Sequence, residues 1–163
     1  MSFELQPYLT GELLELRPLR AEDWDALFAA ASDPEIWAQH PASDRYREEV
    51  FRDFFQGALQ SGGGFVVIDK ASGEVIGSSR YYGYVEEKRE IEIGWTFLVR
   101  SRWGGAYNAE MKRLMLDHAF QFVDRVLFSV GPANVRSQKA MEKIGGVRAG
   151  ERDGSILFEI RKA

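Results

Sequence analysis

Residues 97–108 read Phe97-Leu98-Val99-Arg100-Ser101-Arg102-Trp103-Gly104-Gly105-Ala106-Tyr107-Asn108 and mark a passage from strand to helix. An apolar strand ends, two arginines pass, and a helix opens on small residues. The first turn of a helix presents unpaired N–H groups and a partial positive charge, which suits an anion. Gly104 and Gly105 remove side chains that would hold a phosphate off the backbone, and Arg100 and Arg102 add positive charge beside it. The same residues also read as a tight turn whose glycines serve only the backbone. No Gly-Lys-Ser/Thr follows, so a Walker loop is excluded. The glycine spacing and the antiparallel pattern of the preceding strands argue against a dinucleotide fingerprint.

Upstream of the turn, residues 90–99 (EIEIGWTFLV) read as a strand. It follows two others, 64–69 (GFVVID) and 74–84, across the turn Lys70-Ala71-Ser72-Gly73 and a charged turn at 86–89, and the three make an antiparallel meander. Residues 13–19 (LLELRPL) form an earlier strand, with Pro18 suited to an edge or an exit. Two helices lie between. Trp24, Leu27, Phe28 and Ala31 fall at i, i+3, i+4 and i+7, until Asp33-Pro34 breaks the pattern. The second helix covers about 45–60, with Ser43 as its cap and Val50, Phe51, Phe54, Phe55, Ala58 and Leu59 on one face.

Downstream, Met111, Leu114, Met115, His118 and Phe122 have helical spacing over about 105–122. A strand at 126–130, a loop, a helix over about 135–144 and two strands around Arg148 and 156–160 complete the chain. This order predicts an α/β fold: a mixed, mostly antiparallel sheet with flanking helices and one β-α-β crossover between about residues 90 and 130. Such a crossover makes its two strands parallel.

A chain of 163 residues suits a single domain spanning 1–163. It has no cysteine, which excludes disulfides, thiolate zinc sites and cysteine nucleophiles, and no metal site is expected. Its 25 acidic and 21 basic side chains give a net charge of −4, scattered without the basic run that nucleic acid requires. No apolar run approaches a membrane span, and the opening MSFELQPYLTGE does not read as a signal peptide. A soluble cytoplasmic protein, with neither nucleic acid nor membrane as partner, is the expectation.

Two separated segments, EIGWTFLVRSRWGGAYNAEMKRLMLDHAF at 92–120 and NVRSQKAMEKIGG at 134–146, resemble the GNAT superfamily of acyltransferases. The branch most similar is the one that acetylates ribosomal-protein N-termini and various small amines. The opening LELRPLRAEDWDAL at 14–27 also resembles that branch's first strand and helix. The resemblance implies a GNAT fold and an N-acetyltransferase that moves an acetyl group from acetyl-CoA, its acyl donor substrate, to a primary amine by direct attack. It leaves a small-molecule amine or a peptide N-terminus as acceptor, and it allows a homodimer. A CoA-binding module that has lost catalysis is the reading from a different class. The family's pyrophosphate loop reads Arg or Gln, two residues, Gly, one residue, then Gly or Ala; those positions here hold Trp103, Ala106 and Asn108.

The same resemblance assigns roles. The strand before the loop splays from its parallel neighbour, so the backbone of Phe97, Leu98 and Val99 would bond pantetheine in the gap. The N–H groups of Trp103, Gly104, Gly105, Ala106, Tyr107 and Asn108 would cradle the pyrophosphate, with Arg102 alongside. Asn134 matches an asparagine whose amide bonds the cofactor, and it reads equally as a helix cap. Lys139 reads as a phosphate ligand or as a solvated helix face. Many relatives carry a thiolate-protonating Tyr seven residues after that asparagine, where this chain has Met141. Ser137 is the nearest hydroxyl on that helix. Glu92 is the base candidate, on one strand face with Glu90 while Ile91 and Ile93 occupy the other, unless a bulge disturbs the parity. Its other reading is a solvent-facing carboxylate. His118 reads as a packed residue and His40 as a loop residue near the substrate entrance. Trp37, Tyr81, Tyr82 and Tyr84 read as acceptor-pocket walls or as core.

Overall fold

The computed structural model describes residues 2–163, and its framework is an eight-stranded mixed sheet in the order β1-β2-β3-β4-β5-β6-β8-β7. In chain order the elements are β1 (Leu9–Thr10), β2 (Leu14–Pro18), α1 (Trp24–Ala31), α2 (Pro34–Trp37), α3 (Glu48–Ser61), β3 (Gly64–Asp69), β4 (Val75–Val85), β5 (Glu90–Leu98), α4 (Ala106–Ala119), β6 (Arg125–Val130), α5 (Val135–Lys143), β7 (Val147–Arg152) and β8 (Ser155–Arg161). Every neighbouring pair is antiparallel except β5 and β6, which α4 joins as a crossover. The mixed sheet with one crossover is thus the expected one.

Alternation along the strands divides two cores. Phe65 and Val67 of β3 face a core built with Met111 and Met115 of α4. Val66 between them faces a second core with Phe51, Phe55 and Ala58 of α3 and Leu27 of α1. This period-2 burial on both faces is what an interior strand requires.

In β5, Ile91 and Ile93 belong to the α4 core, whereas Phe97 belongs to the α3 core. An unbroken strand would keep all three on one side. The register against β4 moves from Arg80↔Gly94 to Ser78↔Phe97, so β5 carries one extra residue there. Trp95 takes it up with φ at +54°, a left-handed conformation rare for a bulky side chain. The bulge that could break the parity of this strand is therefore present.

Three local differences from the sequence reading have short-range causes. Asp33-Pro34 ends α1 and at once starts α2, with the Asp33 carboxylate accepting from the Glu35 N–H at 3.0 Å and Pro34 in the first turn. Ser43 caps nothing; α3 begins at Glu48 behind Arg47, which gives no side-chain cap. The α4 helix stops at Ala119, and Phe122 follows in the turn beyond it. Among the described residues no helix is long and apolar enough to cross a membrane.

One buried carboxylate fastens the β1–β2 hairpin to α4. Glu110 accepts from the N–H groups of Glu12, Leu13 and Leu14 at 2.8, 2.8 and 2.9 Å. A Cβ on Gly11 would stand 2.4 Å from its carboxyl carbon, so any larger residue there would have to push the Glu110 carboxylate off these three donors. Burial alone would raise the Glu110 pKa, but the three N–H donors outweigh it and hold it below the usual value. Glu110→Ala strands three donors, and its unfolding free energy in denaturant titration is expected to fall by roughly 2–4 kcal/mol. Because the folded pKa is the lower one, Glu110 contributes its stability above the unfolded value and loses it as pH falls through the folded one. The wild type should therefore lose more stability than the variant on acidification below about pH 4.

Candidate active site

Parallel pairing between β5 and β6 covers Glu90↔Arg125, Ile91↔Val126 and Glu92↔Leu127, and then stops. Beyond Glu92 and Leu127 the two strands part, and a cavity of about 630 Å³ occupies the gap. Ile93 through Leu98 form one wall and Phe128 through Gly131 the other, while the start of α4 and the α5 helix close the far end. His40 and Trp37, from the segment around α2, stand at the same cavity.

The α4 N-terminus offers free donors. The first helical bond is given by Ala109 to the Gly105 carbonyl at 2.8 Å, so the N–H groups of Ala106, Tyr107 and Asn108 precede it. Gly104 and Gly105 hold φ at +114° and +108°, the left-handed region that suits glycine. Trp103 differs from the others in the loop: its N–H is already given to the Arg100 carbonyl at 3.0 Å. Its indole N–H is given to the Leu98 carbonyl at 2.8 Å, which occupies that strand acceptor as well. The Val99 N–H is bonded to the Ile76 carbonyl at 2.8 Å, and Val99 does not line the cavity.

Charge near the loop is arranged otherwise than the sequence suggests. Arg100 is paired with Asp33 at 2.5 Å and Arg102 with Asp69 at 3.0 Å, so both guanidiniums are compensated. Asp69 also accepts from the Ser72 and Tyr107 hydroxyls, and these three bonds hold its carboxyl down at about 2. Arg102 still lines the cavity, but the Tyr107 side chain faces Asp69 instead. The cavity-lining cations without a carboxylate partner among the described residues come from α4 and α5: Lys112, Arg136, Lys139 and Lys143. Lys143 Nζ would be 3.9 Å from a Cβ on Gly105, directly at the turn. Arg136 stacks on the Trp103 ring at 3.7 Å.

Asn134 caps α5 and also lines the cavity. Its carbonyl oxygen accepts from the Ser137 N–H at 3.2 Å as the α5 cap, and the buried residue lines the cavity. Ser137, Lys139 and Met141 line the same wall. His40 is held neutral: burial, with Arg45 and Arg136 nearby, lowers its pKa to about 4, and its Nδ1 accepts from the Ala42 N–H. His118 packs among Phe3, Tyr81 and Phe122 away from the cavity.

Glu92 is buried at the vertex where the strands part, but it is not on the cavity wall. One carboxylate oxygen, Oε2, accepts from both Tyr82 Oη and Arg152 Nη2 at 2.6 Å. The Tyr82 hydroxyl lies over Gly94, 2.8 Å from where a Cβ would stand, and Gly94 does line the cavity. Tyr82 thus connects Glu92 to the wall. Burial first, and Glu92 second, push the phenol pKa upward and keep it a neutral donor.

Lys112 was not legible as a site residue. It lies on α4, is 6 % exposed, and reaches the cavity with its ammonium 3.3 Å from the Thr96 hydroxyl and over the Phe128 ring. Burial lowers its pKa to about 8.

The class defined by this arrangement is an α/β domain with an anion-accepting cleft where two parallel strands part beside a helix N-terminus. The chain belongs to the GNAT acetyltransferase family, whose domain model, "Acetyltransferase (GNAT) domain", matches residues 14–147. A comparison with curated proteins returns no match. Among solved structures, the chain is similar to a GCN5-related N-acetyltransferase from Brucella melitensis, at 23% identity and a TM-score of 0.82 over 96% of this chain and 79% of that one. A putative acetyltransferase from T. thermophilus is 28% identical, with a TM-score of 0.78 over 99% and 92% of the two chains. Mycobacterium smegmatis RimJ, solved in complex with CoA-disulfide, is 22% identical with a TM-score of 0.66 over 91% and 81%.

If the turn holds phosphate, Lys143 supplies charge there without supporting the fold. Lys143→Glu is expected to weaken CoA binding at least about tenfold, equivalent to about 1.4 kcal/mol, with an unchanged melting midpoint in the absence of ligand. Calorimetric titration with CoA and a thermal melt read the two quantities separately.

Proposed function

We propose that this chain is an N-acetyltransferase that moves an acetyl group from acetyl-CoA to a primary amine, by direct attack of the amine on the thioester. One observation carries the reading. In a chain of net charge −4, the cavity wall bears Arg102, Lys112, Arg136, Lys139 and Lys143 and, among the described residues, no carboxylate. A ligand with several phosphate charges fits such a wall, and the free first-turn N–H groups of α4 fit a pyrophosphate. The CoA-disulfide complex of RimJ, a neighbour in fold, agrees with that fit.

Acetyl-CoA supplies an activated acyl group whose leaving group is a thiolate. The chain's own residues supply the rest. The N–H groups of Ala106, Tyr107 and Asn108, with Lys139 and Lys143, hold the phosphates. The amide of Asn134 and the β5 backbone from Ile93 onward, which lacks a β6 partner, offer hydrogen bonds along the cleft. Lys112 holds a proton at Nζ for the departing sulfur, a task the Met141 side chain is unable to perform, and the Ser137 hydroxyl adds a donor on the same wall. The amine proton leaves toward Glu92 by way of the Tyr82 hydroxyl at Gly94. A small amine and a peptide N-terminus both present the same nucleophile, so acceptor scanning must include both.

The test is a CoA-release screen over amines and short peptides. Release with at least one acceptor is expected; CoA binding without any release would leave a non-catalytic CoA-binding module. With an active acceptor, Glu92→Gln should lower kcat by roughly 10²-fold or more, and higher pH should recover part of the loss by deprotonating the amine in solution. Lys112→Met should also lower kcat. The donor form of Lys112 is lost as pH rises through its folded value of about 8. The wild-type kcat should therefore decline above that pH, and the variant should lose this limb of the profile. Wild-type kcat in both variants across neutral pH would remove both roles.

A further inference from the structure

Beside the acyl end of the cleft stand two arginines that the proposed transfer does not use. Arg80, on β4, is 6 % exposed, yet no carboxylate pairs with it among the described residues. Its Nη2 gives one bond to the Phe54 carbonyl at 3.2 Å, and its Nε is buried without any hydrogen-bond partner. Arg45, half-buried in the segment between α2 and α3, gives no side-chain hydrogen bond or ion pair among the described residues. Both guanidiniums lie over the same two rings. Arg45 is 5.0 Å from the Trp95 centroid and 5.2 Å from that of Phe54; Arg80 is 4.3 and 5.7 Å from them.

Ordinary packing does not account for this pair. A guanidinium has five donors and stays charged in proteins, so burial without a counter-charge is unfavourable. The ring contacts offset part of the charge but satisfy no N–H group. Arg45 is also near enough to disfavour the Arg80 charge: burial first, and then Arg45, lowers the Arg80 pKa to about 10. Burial takes Arg45 to about 10 as well. Elsewhere in the chain Arg17, Arg102, Arg125 and Arg152 each have a carboxylate. At Arg80 a buried charge with an unsatisfied Nε lacks an anion, and Arg45 beside it has only the through-space attraction of Asp44.

The position says which molecule brings it. Trp95 lines the cavity, and so does Trp37, over which Arg45 also lies at 5.5 Å. Along β5, Trp95 is close to the vertex at Glu92, whereas the α4 N-terminus that suits phosphates lies at the other end of that wall. The anion therefore comes with the acceptor and not with the donor's phosphates. Neither arginine lines the cavity itself; both lie against the Trp95 ring, which does, and a second ammonium on the acceptor would meet their charge and that of Arg136 with no carboxylate on the cavity wall to receive it.

We infer that Arg45 and Arg80 form an oxyanion-binding site for the acceptor, so that the acetylated amine also carries a carboxylate or a phosphate group. This rests on the transferase reading above. It gives the acceptor a chemical class, an anionic primary amine, and sets polyamines and simple neutral amines apart from it.

The experiment compares matched amines that differ only in the anion: β-alanine with β-alaninamide, and O-phosphoethanolamine with ethanolamine. For the wild type, kcat/KM for the better anionic member should exceed its neutral partner by at least about tenfold, the usual scale of a charge-assisted pair. The two arms show whether carboxylate or phosphate is preferred. In Arg80→Met and Arg45→Met that ratio should fall toward one, while CoA affinity by calorimetry stays at the wild-type value. The melting midpoint of Arg80→Met should equal or exceed the wild type, because a buried charge without a partner has gone. Neutral partners that react as well as anionic ones, or a ratio unchanged in both variants, would overturn the inference.

Failure of the transferase reading is distinguishable from this. If no amine or peptide releases CoA, that reading fails, and the anion site is read from thermal shifts with acetate or inorganic phosphate at saturating CoA. Stabilisation of the wild type that both variants lose would retain the site; equal shifts in all three proteins would remove it.

Discussion

The site depends on one constraint, the end of the β5–β6 ladder at Glu92 and Leu127. Parallel strands carry a row of N–H and C=O groups that must find partners, and a strand edge opened inside a domain is normally unfavourable. Here the parting is followed along β5 by the bulge at Trp95, whose left-handed backbone is itself strained, by roughly 1–3 kcal/mol for such a residue. Pairing with β4 resumes at Phe97, and Arg45, Arg80 and Phe54 pack around the indole. The extra residue sends Phe97 into the α3 core and leaves Thr96 toward Lys112. The inserted residue, the unpaired β5 backbone and the buried ammonium thus meet at one place on the cavity wall.

Charges in this molecule fall into two populations. Arginines that hold elements together have carboxylates: Arg17 with Asp23, Arg100 with Asp33, Arg102 with Asp69. Of the cations on the cavity wall only Arg102 has one among the described residues; Lys112, Arg136, Lys139 and Lys143 have none, nor has Arg80 against the Trp95 ring, although Lys112 and Arg80 are among the least exposed charged side chains. Burying a charge without a partner works against folding, so residues of this kind persist where something else in their surroundings compensates. The rest of the fold bears that burden through two apolar cores and the Glu110 tether.

The regular elements were legible because their periods are simple. GFVVID is apolar on both faces, as an interior strand must be, and the α3 stripe has a period that only a helix satisfies. Family membership was carried by two ordered motifs, one on each side of β6. What lay out of reach was short or long-range. The α2 helix has four residues and β1 has two, too few for any period to show. Lys112 follows Met111 in an amphipathic helix and reads as solvated; only the parted strands give it a cavity to enter. The charge assigned to Arg100 and Arg102 was correct in sign, but their carboxylates come from Asp33 and Asp69, distant in sequence. Arg45 and Arg80 meet at Trp95 only in three dimensions.

The pleat that separates the cores also aligns the chemistry. Arg80 and Tyr82 alternate onto the same face of β4, and the register sets them opposite Gly94 and Glu92 of β5. Gly94 has no side chain, and the space left is where the Tyr82 hydroxyl lies before it reaches Glu92. A residue with a Cβ at position 94 would displace that phenol and break the contact between wall and carboxylate. One row across two strands therefore runs from a guanidinium with open donors, through a neutral phenol, to a carboxylate held by Arg152. An amine whose anion is held at Arg80 would bring its nitrogen toward the phenol and the parted strands. Under the proposed transfer, the Arg80 guanidinium, the Tyr82 phenol and the Glu92 carboxylate are then consecutive beside the parted strands, set there by the β4–β5 register.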